Sequence, residues 1–106
     1  MHRIRVYAVF AAFAASSPAL HAAGDATKGK EVFEQCGICH NADSDEKKMG
    51  PGLKGLFKKA KMSNGKAPTE ANVKAKIDEG GNGMPPYKDM LSDKEKDDLI
   101  AYLKTL

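Results

Sequence analysis

The sequence predicts an all-α domain of three main helices joined by long loops wrapped around a bulky ligand. Three observations carry this reading. Apolar residues recur at helical spacing in three separate stretches, around Val32, Val73 and Leu99. No stretch alternates apolar and polar residues well enough to be a strand. Between the first two helical stretches, residues 41–68 turn to Gly, Pro, Ser, Asn and Lys, yet keep Leu53, Leu56 and Phe57. A loop of that length inside a compact domain is uncommon unless it surrounds something.

The first 23 residues stand apart from the rest. A short basic start, MHRIR, precedes an apolar run from Val6 to Ala15 and a tail of mostly small residues, SSPALHAA. This is the layout of a secretory signal peptide, with cleavage expected after residue 22 or 23. The apolar run falls short of the about 20 residues that a membrane-spanning helix needs. No cysteine follows the run at which a lipid could be attached. Residues 24–106 are therefore expected to be a soluble, exported, periplasmic domain without a stable membrane anchor. Arg3 and Arg5 leave with the signal, so the formal charge of +3 drops to nearly neutral. That balance argues against nucleic-acid binding, which calls for a strongly basic domain. What remains is small, lacks tryptophan and has two cysteines. A chain of this size is near the limit at which a core needs a disulfide, a metal or a cofactor.

The first helix is expected over Asp25 to Gln35, with Asp25 as N-cap, Gly37 as stop and a seam of Gly29, Val32, Phe33 and Cys36. The loop after it permits no regular element longer than a turn or two. A second helix fits Thr69 to Glu79, capped by Thr69, faced by Val73 and Ile77 and ended by Gly80. GGNGMPPYKDM is again irregular. The last helix opens with Ser92 and Glu95 spaced as a capping box. Its inward stripe is Leu99, Ile100, Tyr102, Leu103 and Leu106, with the leucines set to face Gly29 and Phe33.

Both cysteines lie in CGICH, Cys36 to His40. Such a pair can be a disulfide, part of a zinc site, a redox dithiol or a haem anchor. Structural zinc takes four ligands, and beyond residue 23 the chain has no Cys or His other than Cys36, Cys39 and His40. A thioredoxin-like dithiol belongs beside a βαβ pattern, which is missing. A plain disulfide leaves His40 and the long loops without a purpose. C-x-x-C-H is the attachment signature of covalent haem c. Cysteines at this spacing share one face of a helical turn, where both sulfurs reach the vinyl groups of one porphyrin. The next residue, His40, is carried beneath the iron as its proximal ligand.

From Gly24 to Leu106 the chain resembles a single-haem class I cytochrome c. GDATKGKEVFEQCGICH is similar to that family's N-terminal helix and haem attachment, GPGL to its proximal loop, GMPPY to its distal ligand loop, and LSDKEKDDLIAYLKTL to its C-terminal helix. The resemblance implies the cytochrome c fold, with Gly29, Phe33 and Tyr102 where the terminal helices cross. It also implies that the Pro51 carbonyl accepts the second imidazole N–H of His40, which orients the ring and raises its basicity.

The iron's sixth ligand must come from Met49, Met62, Met84 or Met90, since no second histidine lies beyond residue 23. Met84 stands out. Glycines before it free the backbone to approach a ligand, Pro85 and Pro86 stiffen its presentation, and the resemblance selects the same M-P element. Met90 ranks next, then Met62; Met49 is too close to the proximal side. Tyr87 is expected to cover the haem or hold a propionate. Leu53, Phe57, Val73, Ile77 and Leu99 are expected to wall the pocket.

A thioether opposite a histidine favours ferrous iron and leaves no open coordination site. The resemblance and this ligand set imply a one-electron carrier, not an enzyme, working between exported or membrane-bound redox proteins. The alternatives are an open-iron haem enzyme or sensor, acting as a peroxidase or binding a gas, and a haem-free dithiol module. Lys54, Lys58, Lys59, Lys61 and Lys66 form a basic run suited to docking an acidic partner. Acids gather at Asp43 to Glu46 and Asp93 to Asp98, so the molecule should be dipolar. With no oligomerisation signal, a monomer is expected.

Overall fold

A computed structural model describes residues 24–106; the expected signal segment and its cleavage site lie outside the described residues. In chain order the elements are α1 (Ala26–Phe33), one 3-10 turn (Leu56–Lys58), α2 (Glu70–Glu79) and α3 (Asp93–Leu103). Among the described residues there is no strand, only an isolated bridge between Gly81 and Met84. The all-α reading and the three-helix count hold.

Each helix starts where its sequence supplies an oxygen for the first unpaired N–H groups. The Asp25 carboxylate accepts from the N–H groups of Thr27 and Lys28, at 2.9 and 3.2 Å. The Thr69 hydroxyl accepts from Asn72 N–H at 3.1 Å. At α3 the exchange is reciprocal, Ser92 accepting from Glu95 N–H at 3.1 Å and Glu95 accepting from Ser92 N–H at 3.0 Å. Helix α2 ends at Gly80, whose φ of 63° suits a residue without a Cβ.

Helix α1 ends earlier than expected, at Phe33 rather than Gln35. The Phe33 carbonyl takes the N–H of both Cys36, at 2.8 Å, and Gly37, at 2.9 Å. The Cys36 carbonyl likewise takes those of Cys39, at 3.1 Å, and His40, at 3.0 Å. Sharing one acceptor between three- and four-residue bonds tightens the chain. The helix therefore narrows into successive turns before Gly37 can stop it.

Helix α1 packs on α3, and α2 rests on α3 more lightly. The α1–α3 crossing is close because Gly29 has no side chain: a Cβ there would stand 1.8 Å from the Asp98 carbonyl oxygen. One turn along, the Phe33 and Tyr102 rings meet at 5.3 Å with a 55° tilt. Phe33, Leu99, Ile100 and Leu103 are buried around this contact. Tyr102 is only half-buried, and Leu106 lies past the end of α3, half-buried against the core. The stripe is thus narrower than the periodicity suggested, because α3 ends at Leu103.

Asp98 ties the same two helices electrostatically. Its carboxylate, 5% exposed, accepts the N–H of Asp25 at 2.7 Å and pairs with the Lys94 ammonium. The Asp25 N–H first, and then Lys94, hold the Asp98 carboxyl below its ordinary value of 3.8. A carboxyl lowered in the fold stabilises it above the unfolded value, and that contribution is lost as pH falls through the folded value. Asp98→Asn is therefore expected to flatten the loss of stability below about pH 4, measured as urea midpoints across an acid series. Gly29→Ala drives a methyl into the α3 backbone and is expected to cost about 3 kcal/mol in urea unfolding.

Candidate functional site

A cavity of about 640 Å³ is enclosed by the α1–α3 pair, α2 and the two long loops. Cys36, Cys39, His40 and Met84 all line it, among the apolar side chains of Leu53, Leu56, Val73, Ile77, Leu99 and Leu103. The turns that follow α1 are what bring the two cysteines and His40 to one wall. Burial, and then the neighbouring Cys39, push the Cys36 thiol up from its ordinary value.

His40 is oriented by the loop that follows it. Its Nδ1–H donates to the Pro51 carbonyl at 2.8 Å, the partner that the resemblance implied. With Nδ1 carrying the proton, Nε2 keeps the lone pair that a metal needs. Gly50 lies flat against the ring, where a Cβ would come within 2.5 Å of His40 Cε1. Its N–H donates to the Cys39 carbonyl at 2.8 Å, so proximal loop and attachment turn are joined directly. Gly50 belongs to the site, and the sequence reading had passed over it.

Met84 is presented by a two-residue turn. Gly81 N–H donates to the Met84 carbonyl at 2.9 Å, and Met84 N–H returns the bond at 3.1 Å. Between them Asn82 and Gly83 have φ of 52° and 88°, the Asn-Gly signature of a tight turn with both central residues left-handed. Gly80 and Gly81 also have positive φ. Four consecutive residues thus occupy a region that L side chains resist. The glycines serve backbone geometry at least as much as close approach. Pro85 then holds Met84 extended.

The other methionines separate by position. Met62 is half-buried and lines the same cavity. Met49 lies at the cavity but is 77% exposed, and Met90 is 63% exposed and not part of the lining. The ranking of Met90 above Met62 is therefore reversed in space. Tyr87 is buried in the wall, its N–H donating to the Ile77 carbonyl at 2.9 Å. Burial, followed by the nearby Cys36 and Cys39, pushes its phenol up from the ordinary value.

Of the expected wall, Leu53, Val73, Ile77 and Leu99 line the cavity. Phe57 does not; it packs at the core's edge with the Lys104 ammonium 5.9 Å from its ring centre. The single 3-10 turn explains the exchange, pointing Leu56 inward in its place. Of the basic run, Lys59 and Lys61 line the cavity, joined there by Lys47 and Lys76, which sequence alone did not single out. Lys54, Lys58 and Lys66 are exposed away from it.

Among the described residues no group of three His, Cys, Asp or Glu side chains is placed to hold a metal ion. Cys36 and Cys39 are both free. One imidazole nitrogen, one thioether and two thiols around an apolar cavity of cofactor size suit a covalent haem. Gly50→Ala is expected to push the His40 ring out of place. Its hold on iron should then weaken roughly tenfold or more, read as a rise in high-spin iron in the optical spectrum.

Comparison with known proteins agrees with this site. The family model described as Cytochrome c matches residues 26–106. Cytochrome c2 of Rhodospirillum rubrum is 33% identical over 125 residues, covering 92% of this chain and 93% of that relative. Cytochrome c2 of Blastochloris viridis is 34% identical over 116 residues, covering 93% of this chain and 90% of that relative. The chain belongs to the cytochrome c family, electron carriers that hold one haem c covalently through two cysteines, here Cys36 and Cys39.

Proposed function

We propose that this chain is an exported, monomeric one-electron carrier in which His40 and Met84 would ligate the haem iron. The observation that carries the reading is a single apolar cavity lined by both residues, with His40 Nδ1 already engaged by Pro51 at 2.8 Å. When bound, the haem supplies an iron that takes up and releases one electron. The protein's own residues do the rest. Cys36 and Cys39 anchor the ring through sulfur. Pro51 keeps Nδ1 protonated, so that Nε2 is the basic nitrogen. The Met84 thioether brings no negative charge and so favours the ferrous state, which raises the reduction potential. Leu53, Leu56, Val73, Ile77 and Leu99 exclude water and hold the surroundings rigid, so little must move when charge changes.

Residues 1–23 would direct export to the periplasm and be removed. Among the described residues no helix is long and apolar enough to cross a membrane. A partner would meet the cavity mouth, where Lys47, Lys59, Lys61 and Lys76 gather. Lys59 is shared with Asp45 in a 3.0 Å ion pair, which leaves Lys47 and Lys61 as the freer contacts with an acidic redox protein. Lysines at a rim act mainly on the rate of encounter.

The optical spectrum of the purified protein tests the iron ligands: a ferric His/Met centre has a weak far-red sulfur-to-iron band, and an open high-spin iron does not. Met84→Ala is expected to abolish that band, lower the potential and admit an external ligand. A colourless protein, or no haem stain on a denaturing gel, would instead favour the dithiol module. Lys61→Glu is expected to slow electron transfer with an acidic partner, the deficit shrinking as salt rises beyond about 0.1 M.

A further inference from the structure

The loop that carries Met84 leaves α2 at Gly80 and returns to it at Lys88. On the way it has few internal bonds. The Gly81–Met84 exchange closes one turn, but Pro85 and Pro86 bring no N–H, so no backbone donor follows Met84 until Tyr87. Four residues in succession have positive φ, and within the loop only the Gly81–Met84 exchange closes that shape. The neck is closed by Tyr87 N–H on the Ile77 carbonyl at 2.9 Å and Lys88 N–H on the Asp78 carbonyl at 3.3 Å.

Two ammonium groups reach this loop from the helices. Lys76, in the last turn of α2, donates from Nζ to the Gly80 carbonyl at 3.0 Å and the Gly81 carbonyl at 3.4 Å. Lys96, from α3, donates to the Lys88 carbonyl at 3.0 Å while paired with the Asp78 carboxylate at 2.7 Å. The Lys96 side chain is 4% exposed, a burial almost never seen for lysine without partners. Asp78 Oδ1 is itself buried, and the Lys96 ammonium 2.7 Å away compensates its charge. Both hold carbonyls at the entry and exit of one loop.

We propose that Lys76 and Lys96 are positioning residues that pin the two ends of the 80–88 loop and so set where the Met84 sulfur stands in the cavity. The inference rests on Met84 as the axial ligand. Lys96 spans α3, the end of α2 and the loop exit at once, so the loop is registered against the wall that also contains Leu99. Lys76 fixes the entry, where glycine would otherwise leave the backbone free. The hydrogen bond that Lys96 donates to the Asp78 carboxylate is the main cause that holds its ammonium above the ordinary value, so it stays charged at neutral pH.

The test uses the haem-loaded protein and two readouts, the far-red band and amide hydrogen exchange. Lys76→Met keeps the stem and removes the donors. It is expected to speed exchange at the Gly81 and Met84 amides roughly tenfold or more, leave α1 and α3 amides unchanged, and weaken the far-red band. Lys76→Arg, which restores a cationic donor, is expected to recover both. Lys96→Met should do the same at Lys88 and weaken the band. If that variant fails to fold, Lys96→Met with Asp78→Asn removes both buried charges and is read in the same way. A band present in the unaltered protein but unmoved in every variant, with loop exchange unchanged, overturns the pinning. So does a uniform loss of protection across all helices, which marks general destabilisation. Absence of the band from the unaltered protein overturns the Met84 ligation itself, and the pinning with it.

Discussion

At Gly29 the backbone of α1 comes against the Asp98 carbonyl of α3 with no space for a single methyl group between them. That contact sets the geometry of the molecule. It brings Phe33 onto Tyr102, places the Asp98 carboxylate on the N–H of Asp25, and directs the turns after α1 toward the interior. With these two helices, from opposite ends of the described residues, crossed tightly, Leu99 and Leu103 are left to form a wall rather than the centre of a filled core. A domain this small cannot both fill its middle and enclose a cofactor. It encloses one.

The site divides into a half built locally and a half built at long range. Cys36, Cys39 and His40 are neighbours in the chain, and two shared carbonyls are enough to turn them to one side. His40 then takes its orientation from Pro51, eleven residues on, and its ring is seated on Gly50. Met84 comes from a different part of the chain and depends on α2, α3 and an Asn-Gly turn being correctly placed together. The proximal side is therefore rigid by sequence proximity, whereas the distal side is rigid only through tertiary contacts. Under the proposed ligation by His40 and Met84 that asymmetry has chemical meaning, since a thioether is a weaker donor than an imidazole.

Charge is distributed in the same divided manner. Two lysines, Lys94 and Lys96, serve the interior of the fold through Asp98 and Asp78. Others stand at the cavity mouth, some of them already engaged: Lys59 with Asp45, and Lys76 with the loop carbonyls. Counting lysines in a run thus overstates the basic face, because part of the positive charge is spent on structure.

The sequence by itself determined the three helices, the residues that cap their starts and the attachment turn, and it singled out Met84, which lines the cavity where Met90 does not. Each of these rests on short-range patterns: side-chain oxygens placed before a helix, a residue spacing, and glycines and a proline pair around a methionine. It left Gly50 out of the site and Leu56 out of the wall, placed Phe57 in the wall, and read the basic face from Lys54, Lys58, Lys59, Lys61 and Lys66, of which Lys59 and Lys61 line the cavity. Those depend on which way a loop without periodicity turns, and nothing in residues 41–68 repeats often enough to say. Only the tertiary structure decided that Lys47 and Lys76 join the cavity, that Lys96 is buried, and that α1 ends before Gly37. Close approach of helices, and of long side chains to distant carbonyls, is a property of the packed chain, and no local window contains it.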